Sequence, residues 1–115
     1  FVNAGHNAPV VLRGGEVFRL EDGGPVIGLL KQASYTQASF QLNPGDLFVG
    51  YTDGISEAMT MDNQEWSEER MIEAIQRCRH EKPEVMIQNV IANADAFTAS
   101  APQYDDMTLV CVKVL

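Results

Sequence analysis

Leu47-Phe48-Val49-Gly50-Tyr51-Thr52-Asp53-Gly54 runs five residues without a polar alternate into a carboxylate and a glycine. An unbroken apolar run of this kind predicts a strand covered on both faces, at the centre of a layered structure. A second run, Met107-Thr108-Leu109-Val110-Cys111-Val112-Lys113-Val114, is introduced by Tyr104-Asp105-Asp106 and predicts another central strand. If the two strands are antiparallel neighbours, the end of one and the start of the other share an edge of the sheet. Asp53 then meets Asp105 and Asp106. Converging carboxylates repel unless a cation neutralises them, and all-oxygen sites suit hard cations such as Mg²⁺ or Mn²⁺. The bland alternative stands beside this one. Asp-Gly after a strand is often only a turn, and Asp before a strand is often a solvated loop residue.

Working upstream, Asn43-Pro44-Gly45-Asp46 reads as a turn, with Pro presetting φ and Gly placed where a left-handed residue is useful. Tyr35 to Leu42 alternates, with Thr36, Ala38, Phe40 and Leu42 on one face, as a strand would. Val26-Ile27-Gly28-Leu29-Leu30 reads as a packed loop or short strand, behind the breaker Glu21-Asp22-Gly23-Gly24-Pro25. Val10-Val11-Leu12, the paired glycines of Arg13-Gly14-Gly15-Glu16 and the alternation from Glu16 to Leu20 predict a hairpin. Downstream, Ser67 is placed to cap a helix whose apolar stripe is Met71, Ile72, Ile75 and Cys78. Glu68 and Glu69 complement its positive end, and Arg77, Arg79 and His80 its negative one. Pro83 opens a second helix, with Met86, Ile87, Val90, Ile91, Ala94 and Phe97 at helical spacing. The fold class is α+β: strands, two adjacent helices, then a closing strand.

The chain has 115 residues, 16 of them acidic and 8 basic, for a net charge of −8. That length fits one domain or part of one. The acidic field argues against a nucleic-acid or anionic-membrane partner. No apolar run is long enough to span a bilayer and no signal peptide is visible, which makes the cytoplasm the default location. Cys78 and Cys111 lie in apolar stretches and read as small buried hydrophobes. The opening Phe1-Val2-Asn3, without Met, resembles the inside of a strand, and the expectation is a chain cut from something longer. His6, within Asn3-Ala4-Gly5-His6-Asn7-Ala8-Pro9, reads as a general acid, a phosphate contact, a metal ligand, or a loop residue whose ring bonds the backbone. Asp62-Asn63-Gln64-Glu65 lacks EF-hand spacing and reads as a solvated loop, anchored by Trp66.

Five segments occur in an order that resembles one known family: Asn3–Pro9, Gly24–Gly28, Leu42–Asp46, Tyr51–Ala58 and Asp105–Thr108. The chain is similar, over essentially all its length, to the C-terminal half of the bacterial metal-dependent serine phosphatases of the SpoIIE and RsbU type, within the PP2C-like (PPM) class. The resemblance implies that residues 1–115 are the C-terminal part of a single phosphatase domain. Its fold would be part of an αββα sandwich, antiparallel sheets flanked by helices, with the N-terminal portion absent. It implies two Mn²⁺ or Mg²⁺ ions, with Asp53 and Asp105 as metal ligands and no catalytic residue beyond the ligands. Asp106 follows a ligand position, and Gly54, Asn3 and His6 fall in positions peripheral to the metals. The implied substrate is a phosphoserine or phosphothreonine of a regulatory protein, of the anti-sigma-factor-antagonist type, in a bacterial stress or developmental switch. The family's remaining metal residues would lie upstream of Phe1. Two carboxylates without them bind hard cations weakly, so the chain alone is expected to be inactive. The rival expectation is a non-catalytic interaction module or degenerate phosphatase. The exposed edge of an incomplete sheet also suggests self-association as a homodimer.

Overall fold

In the computed structural model, which describes residues 1–115, the apolar runs pair around Leu47–Tyr51. The strands are β1 (Asn3–Ala4), β2 (Val10–Arg13), β3 (Glu16–Arg19), β4 (Gly23–Gly24), β5 (Leu47–Tyr51) and β6 (Leu109–Lys113). The helices are α1 (Asp53–Ser56), α2 (Ser67–Arg77) and α3 (Pro83–Thr98). A four-stranded sheet has the order β3-β2-β5-β6, and β1 pairs with β4 in parallel as a separate two-stranded ladder. The chain divides into two compact units, Phe1–Gly50 with Val112–Leu115, and Tyr51–Cys111. No helix is long and apolar enough to cross a membrane.

In the first unit β2 is antiparallel to both β3 and β5, with Val10 opposite Val49 and Leu12 opposite Leu47. Val10, Val11, Leu12, Leu47 and Val49 are buried, so both faces of β2 are covered. Each such side chain contributes about 1.5–3 kcal/mol relative to exposure. The turn before β5 is type II: Asp46 N donates to Asn43 O at 3.0 Å, with Pro44 second and Gly45 third at φ +91°. Gly45 N donates to Val114 O while Val114 N donates to Asp46 O, so two residues oppose one. That is a G1 bulge, and its first position requires the left-handed backbone that Gly45 supplies.

Asp46, almost wholly buried, is held by Arg13. Nε lies 3.0 Å from Oδ1, and Nη2 lies 2.7 Å from Oδ2. The Arg13 guanidinium also lies over the rings of Phe18 and Phe40, at 5.4 and 5.3 Å from their centroids. The Arg13 hydrogen bonds and then the Asn43 N–H hold the Asp46 carboxyl below its ordinary value of 3.8, against the opposing effect of burial. The unfolded chain therefore binds a proton here more readily than the folded one. The pair's contribution is complete above the ordinary carboxylate value, declines as pH falls below it, and is gone once pH passes the depressed native value. Acid unfolding of Asp46→Asn is expected to show a weaker pH dependence in that window than the wild type. An identical dependence would remove Asp46 from the account.

Two upstream expectations change. Tyr35–Leu42 forms no ladder, because its backbone-to-backbone bonds go to single residues: Phe1 N donates to Ala38 O, Ala38 N to Phe1 O, and Thr36 N to Gly23 O. Of the two alternatives for Val26–Leu30 the structure takes the loop, with a turn at 27–29, and only its start is packed: Val26 lies against Gly5, while Ile27 and Leu29 are 75% and 72% exposed.

In the second unit α2 buries Met71, Ala74 and Ile75, α3 buries Met86, Val90 and Ala94, and α1 buries Ile55. The helical spacing of the sequence thus becomes a shared apolar seam, closed at one point by the Arg70 guanidinium 4.4 Å above the Phe97 ring. Pro83 opens α3 as predicted. Ser67 does not cap α2. Trp66 takes that position without a side-chain cap bond, and Ser67 sits at φ +76°. Trp66 is buried and its N–H donates to Ala58 O, so packing of the indole sets the entry into α2 and overrides local capping preference. The closing strand is also corrected. β6 stands at the edge of its sheet, and Val110 is half exposed.

Candidate metal centre at the ends of two strands

Thr52 follows β5 in extended conformation, and its carbonyl accepts the Ile55 N–H at 3.1 Å, which starts α1 at Asp53. Thr52 N donates to Thr108 O at 3.0 Å. This pairing and that of Asp46 with Val114 run in opposite senses along the two chains, so β5 and β6 are antiparallel. Thr108 N donates to Thr52 Oγ1 at 3.0 Å, and the same hydroxyl donates to Asp106 O at 3.2 Å.

Gly54 is buried against this segment. A Cβ there would meet Asp106 O and come within 2.9 Å of the Asp106 carbonyl carbon and 3.3 Å of that of Asp105. Only a residue without a side chain lets the two backbones approach so closely. The structure therefore brings Asp53–Gly54 and Asp105–Asp106 together, as the pairing of the strands predicts. All three carboxylate residues are exposed. Asp105 Oδ1 accepts the Asp106 N–H at 2.7 Å, and Gln103 Nε2 donates to Asp105 O at 2.8 Å, which orders the approach to β6. On the α2 side, Tyr51 donates its hydroxyl proton to Glu68 Oε1 at 2.7 Å. Beside Asp105 lies a cavity of about 320 Å³, lined in part by Gly54, Glu57, Met59, Asp95 and Tyr104.

Exposed carboxylates are the hard oxygen donors that Mg²⁺ and Mn²⁺ prefer, so the donor chemistry fits such a cation. Their number does not complete a site: no three His, Cys, Asp or Glu groups converge closely enough to hold a metal ion. Asn3 and His6 belong to the first unit. There the Asn3 amide clasps His6, accepting its N–H and donating to its carbonyl, both at 2.9 Å. The His6 ring lies with Nδ1 3.0 Å from Asn7 O.

Sequence reasoning missed two elements of this centre. The short helix α1 gives no periodic signal in four residues. The Thr52 hydroxyl has partners 54 and 56 residues away, and nothing local announces them.

Comparison with known proteins places this geometry. Protein IcfG of Synechocystis is 28% identical over 116 residues, covering 97% of this chain and 18% of that protein, so the chain spans less than a fifth of the curated relative's length. The PP2C phosphatase domain with a fragment of the regulatory domain of the cell fate determinant SpoIIE from Bacillus subtilis superposes with a TM-score of 0.76. It is 25% identical, over 99% of this chain and 33% of that one. The SiaA-PP2C domain of Pseudomonas aeruginosa shares the fold, with a TM-score of 0.74 at 18% identity over 92% of this chain and 42% of that one. The architecture is thus that of PP2C phosphatase domains, and with a match to the family of Stage II sporulation protein E (SpoIIE) across residues 1–115, the chain belongs to the SpoIIE family.

Proposed function

We propose that residues 1–115 form the C-terminal part of a PP2C-type domain that hydrolyses phosphoserine or phosphothreonine on a regulatory partner protein with the help of Mn²⁺ or Mg²⁺. One observation supports this reading above the others: Gly54 packs on the Asp105–Asp106 backbone, so two carboxylate-bearing segments remote in sequence lie side by side. Membership of the SpoIIE family supports it. Asp53 and Asp105 would hold the metal as part of a larger ligand set. When bound, divalent ions of this kind activate water and neutralise charge on phosphoryl oxygens. The chain's own contribution is to fix Asp53 at the first turn of α1 and Asp105 just ahead of β6, with Asp106 beside it. A phosphorylated anti-sigma-factor antagonist is the proposed substrate, in a bacterial stress or developmental switch.

The test is phosphate release by the full-length protein from a phosphoserine protein. Release is expected to require Mn²⁺, to stop on chelation with EDTA, and to return when Mn²⁺ is restored in excess. Turnover that persists undiminished in EDTA would sink the reading. The shortage of donors favours one rival, a non-catalytic interaction module. The same assay decides between them, since a module that binds the phosphoprotein releases no phosphate under any of the three conditions.

A further inference from the structure

Thr52 occupies a position where an ordinary antiparallel ladder would exchange two main-chain hydrogen bonds with Thr108. Only one is made, from Thr52 N to Thr108 O. The Thr52 carbonyl has turned away to accept the Ile55 N–H and start α1. Its hydroxyl takes the vacated role, accepting the Thr108 N–H at 3.0 Å while donating to Asp106 O at 3.2 Å. One side chain therefore stands between the segment that carries Asp53 and the segment that carries Asp105 and Asp106. It uses both halves of its hydrogen-bonding capacity on the second segment.

We propose that Thr52 is a positioning residue: its hydroxyl sets the separation of Asp53 from Asp105, and through them the affinity of the site for a divalent cation. The proposal rests on the metal-site reading above. Groups that orient metal ligands commonly affect affinity by 10–100-fold when removed. Valine keeps the shape and branching of threonine but can neither accept from Thr108 nor donate to Asp106. Serine keeps the hydroxyl and loses only a methyl group.

Mn²⁺ binding to the full-length protein, followed by calorimetric titration with Mn²⁺ alone, separates the possibilities. Thr52→Val is expected to weaken Mn²⁺ about 10–100-fold, and Thr52→Ser to restore affinity to near the wild-type value. Asp53→Asn serves as the reference. If Asp53→Asn leaves Mn²⁺ affinity unchanged, the metal-site reading fails and takes the positioning role with it. If Asp53→Asn abolishes binding while Thr52→Val binds as the wild type does, the positioning role alone falls. A Thr52→Ser protein as weak as Thr52→Val overturns it equally, because the hydroxyl is then not the determining group. Amide exchange in the unmutated protein provides a measurement free of any folding defect. Mn²⁺ is expected to slow exchange at Thr108 by about fivefold or more, as a coupled site requires. An unchanged Thr108 rate under saturating Mn²⁺ overturns the proposal.

Discussion

Asp53→Asn is expected to lower kcat/KM for a phosphoserine protein by at least about a hundredfold, the equivalent of losing about 2.7 kcal/mol or more of charge stabilisation. The substitution is chosen for what it leaves alone. Asparagine matches aspartate in size, and the local backbone bonds of this turn, Glu57 N to Asp53 O and Ile55 N to Thr52 O, use no carboxylate oxygen. Asp53 is exposed, so thermal unfolding without metal is expected to stay within about 0.5 kcal/mol of the wild type. What is lost is one hard, charged oxygen donor, which an amide replaces poorly for Mg²⁺ or Mn²⁺. Equal turnover by variant and wild type would remove Asp53 from the site, and with it the reading of Thr52.

Gly54→Ala is expected to damage stability and activity together. The added methyl meets backbone rather than the flexible end of a side chain: Asp106 O directly, and its carbonyl carbon at 2.9 Å. A neighbour that cannot rotate away must be displaced, and overpacking of this sort costs about 1–3 kcal/mol. The displacement parts the two carboxylate segments, which also stretches the bonds from Thr52 to Asp106 and Thr108. Denaturant unfolding and Mn²⁺-dependent phosphate release on the same variant therefore fall together. Wild-type behaviour in both measurements would mean that the two backbones do not approach in solution as described.

Much of this was readable in the residues, and the exceptions share a cause. Leu47–Tyr51 announced a strand with both neighbours present because an unbroken apolar run has few other homes. The approach of the Asp53–Gly54 backbone to that of Asp105–Asp106 followed from strand ends alone, without any side-chain detail. Val110 and Val112 look no different in sequence from Val49, yet Val49 is fully buried and those two are about half exposed. Side-chain chemistry determines that a segment extends, while position in the sheet determines how much of it is covered. The alternation of Thr36, Ala38, Phe40 and Leu42 failed for the same reason, since a strand needs a main-chain partner along its length and the backbone-to-backbone bonds of this segment reach only Phe1 and Gly23. Ser67 carried a valid capping signal that the burial of Trp66 outweighed. The Arg13–Asp46 pair escaped notice because ionic partners 33 residues apart leave no local pattern.

The bulge at Gly45 and the clasp at Thr52 sit at opposite ends of β5, and each aligns with its own residue near β6, Val114 and Thr108. As many residues lie between Asp46 and Thr52 as between Thr108 and Val114. Inserting or deleting a single residue inside either strand would put one end out of step and turn every following side chain to the other surface. The segment from Thr60 to Gln64, closed on itself by Thr60 N to Gln64 O and Asn63 N to Thr60 O, carries no such constraint. Length variation among descendants of this chain, natural or engineered, accordingly belongs in that turn, while the spacing within the two strands stays invariant.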